Sequence, residues 1–345
     1  MIPSYSIDIF PRLFHFKKPA GTSRGVYTER RSWYVRVASA ACPGREGWGE
    51  CAPLPQLSVD DLPDYEGVLR GICAEVARTG QVDTERWREY PSMLFGLETA
   101  LRHLEQGTYA LWDTPFSRGE EGICINGLIW MGDHDAMYRQ IREKLEAGFR
   151  CVKLKIGAIG FEEELDLLRF IRRHFPAREV ELRVDVNGAF APAEALDKLK
   201  RLAELDLHSI EQPIRAGQWD EMAGLTSVSP LPVAFDEELI GHCSLEAKRR
   251  LLDALHPQYI VLKPSLHGGF SGCREWIEEA EKRNVGWWIT SALESNVGLN
   301  AIAQWCATWH TRMPQGLGTG MLFTDNVPMP LEIRKDCLWY VADGD

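Results

Sequence analysis

The chain contains no C-x-x-C pair, no apolar run long enough to span a membrane and no surplus of positive charge. Each absence removes a class of function. Nine scattered cysteines, an odd number without metal-ligand spacing, fit reduced thiols better than a disulfide frame or a zinc site. A cytoplasmic protein is the expectation, and Cys124, Cys151 and Cys306, set among apolar neighbours, read as core fillers. Against 50 Asp and Glu stand 39 Lys and Arg, a formal charge of −11, which argues against nucleic acid or an anionic membrane surface as partner. The opening "MIPSYSIDIFPRLFHF" lacks a basic region followed by an apolar segment, so no leader is expected. No low-complexity segment interrupts the chain.

At 345 residues the chain suits one large domain and a smaller one. Residues 1–115 read as α+β. "SYSIDIF", "SWYVRVASA" and "GWGECAPL" look like antiparallel strands separated by turn-rich pieces such as "KKPAGTSRG". The stretch "SMLFGLETALRHLEQ" then carries Leu94, Leu97, Leu101 and Leu104 on one helical stripe.

From 116 to 320 the pattern changes to short apolar runs alternating with helical stretches. The runs are "ICINGLIW", "CVKLKIG", "LRVDVNG", "HSIEQP", "PVAFDEE", "YIVLKPS", "GWWITSA" and "PQGLGTG". Six helices are readable between them, in units of mostly 25–30 residues. Eight runs with intervening helices match a (β/α)₈-type barrel better than an open doubly wound sheet.

Ionisable residues stand at the C-terminal ends of the middle runs, where barrel enzymes assemble their sites. The second run brings Lys153 and Lys155, two apart and so on one face. Arg183, Asp185 and Asn187 alternate along the third in the same way. Glu211, Asp236 and Lys263 end the next three. Three carboxylates on successive strands repel one another unless a cation sits among them. Oxygen ligands on rigid elements suit a hard divalent ion, most naturally Mg²⁺, with Mn²⁺ as a tolerated substitute. Asp185, Glu211 and Asp236 are the candidate ligands. Lys155 and Lys263 then approach a bound carboxylate substrate from opposite sides. Removing its α-proton produces a dianionic enediolate, which needs concentrated positive charge. A lysine serves as base only when neighbouring cations bring its pKa down from ~10.4, and Lys153, Arg183 and the metal are candidates for that crowding. For any single one of these residues, a helix cap or an outward-snorkelling lysine is an adequate reading. The order along the chain is what favours catalysis.

These residues resemble the enolase superfamily, in its muconate-lactonizing branch. The likeness rests on "KLK", "DVN", "IEQP", "FDEE" and "LKPS", and on "GWGECAPLP", which is similar to the G-x-G-E-x-x-P turn of such proteins. It covers nearly the whole chain. It implies a (β/α)₇β modified TIM barrel, an N-terminal α+β capping domain, and a C-terminal segment, 321–345, returning to the cap. Within the branch, "LRVDVNGAF", "TSALESNVGLNAIAQW" and "PQGLGTGMLF" look most like the o-succinylbenzoate synthase family of menaquinone biosynthesis. That likeness implies that Lys155 takes the α-proton and then helps expel a hydroxyl as water. It further implies that Lys263 stabilises the enediolate, that Lys153 contacts the substrate carboxylate, and that Asp185, Glu211 and Asp236 bind Mg²⁺. Ser291 and the backbone of Gly318, Thr319 and Gly320 would hold a succinyl tail, with Arg183 and Asn187 also counted toward the substrate. The chain departs from the pattern in "NGAF", where a tryptophan is common, and in "DEE", where "DES" is frequent.

Two alternatives are weighed. An N-succinylamino-acid racemase or dipeptide epimerase would use the same lysines, but a dipeptide epimerase is expected to carry an acid on the eighth run to grip an α-ammonium. Here that run reads "GLGTG". A non-catalytic barrel that merely binds an acidic metabolite would need no amines on opposite faces. The cap loop "PAGTSRGVYTE" either closes over the substrate, with Arg24 or Tyr27 reaching it, or is a mobile solvated loop; the sequence does not decide between the two.

Overall fold

The computed structural model describes residues 5–22 and 25–341; Arg24 lies outside the described residues. The chain opens with a long hairpin, β1 (Tyr5–Thr22) and β2 (Gly25–Ser39), joined in an antiparallel sheet by β3 (Glu46–Cys51). Residues 17–22 of "KKPAGTSRG", expected as a turn-rich break, continue β1 instead, and Gly25 begins β2. A register shift between His15 and Ala20 absorbs the proline there. The sheet has two working faces. Trp33, Val35 and Val37 pack toward α1 (Tyr65–Thr79) and α2 (Pro91–Gln106), which carries the leucine stripe. Arg30, Ser32 and Tyr34 alternate with them and face the rest of the protein.

The two glycines of "GWGE" have a steric reason. A Cβ on Gly47 or Gly49 would run into the backbone carbonyls of Ala100 and Gly96, so their absence lets α2 lie directly on β3.

After β4 (Ile123–Cys124) the barrel begins with β5 (Gly127–Ile129) and α3 (His134–Glu146). There follow β6 (Cys151–Lys155), α4 (Phe161–His174), β7 (Glu181–Asp185), α5 (Pro192–Ala203), β8 (Ser209–Glu211) and α6 (Trp219–Val228). Then come β9 (Val233–Phe235), α7 (Leu245–Leu255), β10 (Tyr259–Leu262), α8 (Gly269–Glu281), β11 (Gly286–Ile289) and α9 (Asn296–Cys306). Strands β5 to β11 pair in parallel in strict chain order. Gln315 and Gly316 close the ring as an eighth strand, Gly316 bridging Thr290 on one side and Gln315 bridging Ile125 on the other. The fold is the (β/α)₇β barrel with an N-terminal cap.

Helix α6 escaped the sequence reading. "WDEMAGLTSV" buries only Met222, Leu225 and Thr226 and shows no continuous apolar stripe. Cys124 is a second correction. It is exposed, on the strand facing β13 (Cys337–Tyr340), which pairs in turn with β12 (Leu331–Arg334); Cys151 and Cys306 are buried as expected. Between α9 and β12 the chain crosses the cap, where Phe16 bridges Phe323 and the Lys17 N–H donates to the Leu322 carbonyl at 2.8 Å.

Candidate active site

Inward-pointing residues at the C-terminal ends of the barrel strands open into a cavity lined by residues of the barrel and of the cap. The register explains who is there. Lys155 pairs with Asp185, and Asp185 with Glu211, so the ends of β6, β7 and β8 stand level. Asp236 and Lys263 follow directly after β9 and β10.

The lysines and carboxylates interlock. Lys153 Nζ contacts Glu211 and lies 3.2 Å from Asp185 Oδ2, while Lys155 Nζ lies 3.3 Å from the same oxygen. Lys263 binds Asp236 on the opposite wall. Burial works against the charge on Asp185, but Lys153, Lys155 and Lys263 outweigh it and hold the carboxyl below the ordinary range. Burial likewise disfavours the ammonium of Lys153, yet Asp185 and Glu211 raise it overall. Lys263 is raised against burial by Asp236, Glu211 and Glu237. The acids left over show the strain of crowding. Burial, with Asp185 alongside, pushes Glu211 up to about 8, and burial with Asp236 pushes Glu237 up to about 7.

This donor set fits a divalent cation. Glu211 Oε1 and Asp236 Oδ1 are buried without a hydrogen-bond partner, and buried acceptors seldom stay unpaired. As placed, the acids are drawn onto the lysines, and among the described residues no three acidic, histidine or cysteine side chains converge as ligands.

The loops after the strands hold these groups in unusual backbone conformations. Asn187, Gln212 and Leu293 follow β7, β8 and β11 with φ of 46°, 42° and 65°, a region few non-glycine residues visit without support. Gln212, which the sequence reading missed, supplies part of that support. Its Oε1 accepts the N–H groups of Asp236 and Glu238 at 3.3 and 3.1 Å, and its Nε2 donates to Glu238 at 3.0 Å. It thus ties the Glu211 loop to the Asp236 loop. A polar side chain beside an inward acid in an apolar strand was the available signal. Trp130, Leu54, Leu57 and Leu293 were also missed; they form the apolar wall, with Leu54 and Leu57 reaching in from the cap.

The remaining expected residues separate into two groups. Asn187, Ser291, Gly318 and Thr319 line the cavity, and the hydroxyls of Ser291 and Thr319 meet at 2.6 Å. Arg183 and Gly320 do not line it. Arg183 sits one layer down inside the barrel, donating to Glu181 at 2.7 Å and to the Pro314 carbonyl at 3.0 Å, its guanidinium 4.4 Å from the Trp288 ring centroid. Lys153 stands level with Arg183 in the register and does reach the cavity, so depth alone does not exclude the guanidinium; Glu181, the Pro314 carbonyl and the Trp288 ring draw it away. Gly320 faces α9: a Cβ there would come within 3.0 Å of Asn296 Oδ1. Tyr27 spends its hydroxyl on the Pro55 carbonyl at 2.7 Å.

The family description "Enolase C-terminal domain-like" matches residues 136–340, and "MenC, N-terminal domain" matches residues 22–104. The chain is 47% identical to the o-succinylbenzoate synthase of Desulfotalea psychrophila, over 92% of this chain and 94% of that one. The crystal structure of MenC from Desulfotalea psychrophila LSv54 superposes with a TM-score of 0.82 at 40% identity, covering 97% of this chain and 99% of that one. The L-Ala-D/L-Glu epimerase of Bacillus subtilis, in a substrate-liganded complex, shares the fold at a TM-score of 0.80 but only 19% identity, over 99% and 96% of the two chains.

Proposed function

The chain belongs to the o-succinylbenzoate synthase family of the enolase superfamily, and from that premise we propose that it dehydrates 2-succinyl-6-hydroxy-2,4-cyclohexadiene-1-carboxylate to o-succinylbenzoate, a step of menaquinone biosynthesis. The observation that carries the reading is the placement of Lys155 and Lys263 on opposite walls of one cavity with Asp185, Glu211 and Asp236 between them.

In this reading Asp185, Glu211 and Asp236 hold Mg²⁺, for which Mn²⁺ can substitute. The ion supplies Lewis-acid charge that offsets the negative charge gathering on the substrate carboxylate. Lys155, as a neutral amine, takes the proton from C1, and its electron pair becomes the enediolate. Lys263 faces that charge from the far wall and stabilises it as a fixed cation. The C6–O bond then breaks, the proton on Lys155 passes to the departing hydroxyl, and water and an aromatic ring result. One residue removing the proton and protonating the leaving group on the same face makes the elimination syn. Lys153, 8% exposed, contacts the substrate carboxylate, and Ser291 and Thr319, with the backbone at Gly318, hold the succinyl tail. Trp130, Leu54, Leu57 and Leu293 exclude water from the diene.

The acids lining the cavity stand on the β7–β9 side, and the closing strand contributes Gly316, Gly318 and Thr319 instead. An α-ammonium would lie there without a counter-charge, which disfavours dipeptide epimerisation. The test compares kcat/KM for the cyclohexadiene carboxylate, an N-succinylamino acid and a dipeptide. Slow racemisation of the N-succinylamino acid is compatible with the reading. A dipeptide or N-succinylamino acid outperforming the cyclohexadiene substrate would overturn it.

A further inference from the structure

Lys155 is not held by Asp185 alone. Its Nζ donates to Asn187 Oδ1 at 2.9 Å, and the Nδ2 of the same amide donates to Glu237 Oε1 at 3.0 Å. Three side chains from the ends of β6, β7 and β9 thus form a chain of hydrogen bonds leading to the amine. Its direction is fixed by chemistry. An ionised Glu237 can only accept, so the amide turns its NH₂ toward Glu237 and leaves its oxygen to Lys155, whose N–H donates whether or not the amine is protonated.

Asn187 depends on that arrangement. Its backbone is pinned at φ 46°, and its N–H donates to Asp185 Oδ1 at 3.1 Å, which places the side chain over the cavity. The backbone fixes where the amide sits, but nothing in it fixes which end of the amide faces the lysine. Glu237 does. It belongs to a short 3₁₀ turn, Glu237–Leu239, whose start is clamped by Gln212 through the N–H groups of Asp236 and Glu238.

We infer that Glu237 is a positioning residue for the dehydration: it orients the Asn187 amide so that its oxygen holds the amine of Lys155 against the cavity wall. This rests on the reading of Lys155 as the base, and it moves Asn187 from the residues that bind substrate to those that aim the base. A neutral amine has a single lone pair. With one N–H committed to Asn187, that lone pair is directed rather than free to sample every rotation. Without Glu237 the amide can flip, presenting NH₂ to the lysine and pushing it off its acceptor. The substrate's own contacts, with Lys153, Ser291 and Thr319, are untouched. The loss therefore falls on kcat and not on KM.

The experiment compares wild type, Glu237→Gln, Glu237→Leu, Asn187→Ala and the double variant Asn187→Ala/Glu237→Leu, with Glu237→Ala standing in should the leucine variant not fold. Glu237→Leu should lower kcat by about 10- to 100-fold, the scale of a misplaced catalytic group, with KM changed less than about 2-fold. Glu237→Gln keeps an acceptor oxygen and should recover most of kcat. The double variant should be no slower than Asn187→Ala alone, because Glu237 acts only through the amide. Stabilisation of each protein by Mg²⁺, read as a shift in Tm without substrate, should be unchanged. Wild-type kcat in Glu237→Leu, additive losses in the double variant, or a lost Mg²⁺ response in Glu237→Gln would each overturn the inference, the last by making Glu237 a ligand. An inactive wild type would instead sink the functional reading, so the two failures are distinguishable.

Discussion

The carboxylate of Glu98, on the second helix of the cap, accepts the backbone N–H of Phe270 at 2.6 Å across 172 residues of sequence. It also accepts the N–H of Ser271 at 3.3 Å. These are first-turn donors of α8, a barrel helix whose own N-cap, Gly268, has no side chain to offer. The cap supplies what the barrel helix lacks. Gly269 makes room for it, since a Cβ there would collide with the Glu98 carboxylate.

That contact gives stability a pH dependence. Burial pushes the Glu98 carboxyl up to about 7, against the hydrogen bonds from Ser271 and Phe270, which favour the charged form. Between the unfolded value near 4.3 and about 7, the unfolded chain releases this proton while the folded one keeps it. The unfolded state then binds fewer protons, so the contribution of Glu98 to stability falls as pH rises through that window and levels off above it. Glu98→Gln does not titrate. Relative to wild type it should gain on the order of 2 kcal/mol between about pH 4.5 and pH 7, measured by urea unfolding. A stability difference independent of pH would contradict this.

Metal dependence is the second expectation. Exhaustive chelation should abolish turnover, and Mg²⁺ or Mn²⁺ should restore it. Replacing Asp185, Glu211 or Asp236 by alanine should remove both turnover and the metal-induced rise in Tm, with far-UV circular dichroism unchanged. Full activity after chelation would refute the assignment of these three acids.

Gly318 and Gly320 should now behave differently, although the sequence treats them alike. Gly318 lines the cavity, and a Cβ there would find no protein atom closer than 3.5 Å, so Gly318→Val should fold normally and raise KM through the tail it obstructs. Gly320→Val pushes against Asn296 and Leu299 at 3.0 and 3.1 Å, and should lower Tm with KM little changed. Equal effects of the two on KM would show that the turn is placed incorrectly.

How much of this was legible in the sequence follows from how local each feature is. The order Lys155, Asp185, Glu211, Asp236, Lys263 could be read because each sits at the end of an apolar run, and a parallel barrel brings consecutive strand ends side by side. Where the Arg183 guanidinium goes was not legible. Lys153 and Arg183 stand level on neighbouring strands, and it is the distant Pro314 carbonyl and Trp288 ring that turn Arg183 away from the cavity. Gln212, Glu237 and Glu98 act through partners 26, 50 and 172 residues away, and no periodicity records such pairs. Helix α6 lacks an apolar stripe, and the hairpin of β1 and β2 continues through residues that ordinarily mark turns.

Lys263 should be required without being the base. Lys263→Ala should lower kcat by roughly 10²- to 10³-fold, the usual loss on removing one charge-stabilising group, while deuterium exchange from solvent at C1 of the substrate is slowed and not abolished. It also leaves Asp236 buried without its ammonium, so Tm should fall as well. Wild-type turnover in this variant would remove Lys263 from the mechanism.

The most direct measurement is the appearance of o-succinylbenzoate from the hydroxy-cyclohexadiene carboxylate with Mg²⁺ present, followed side by side for wild type and Lys155→Ala. The account predicts ready aromatisation by the wild type. For the variant it predicts no turnover and no exchange of the C1 proton with deuterated solvent, with the Mg²⁺-induced rise in Tm retained. Aromatisation by Lys155→Ala at the wild-type rate, or a metal-loaded wild type that leaves the substrate intact, would contradict it.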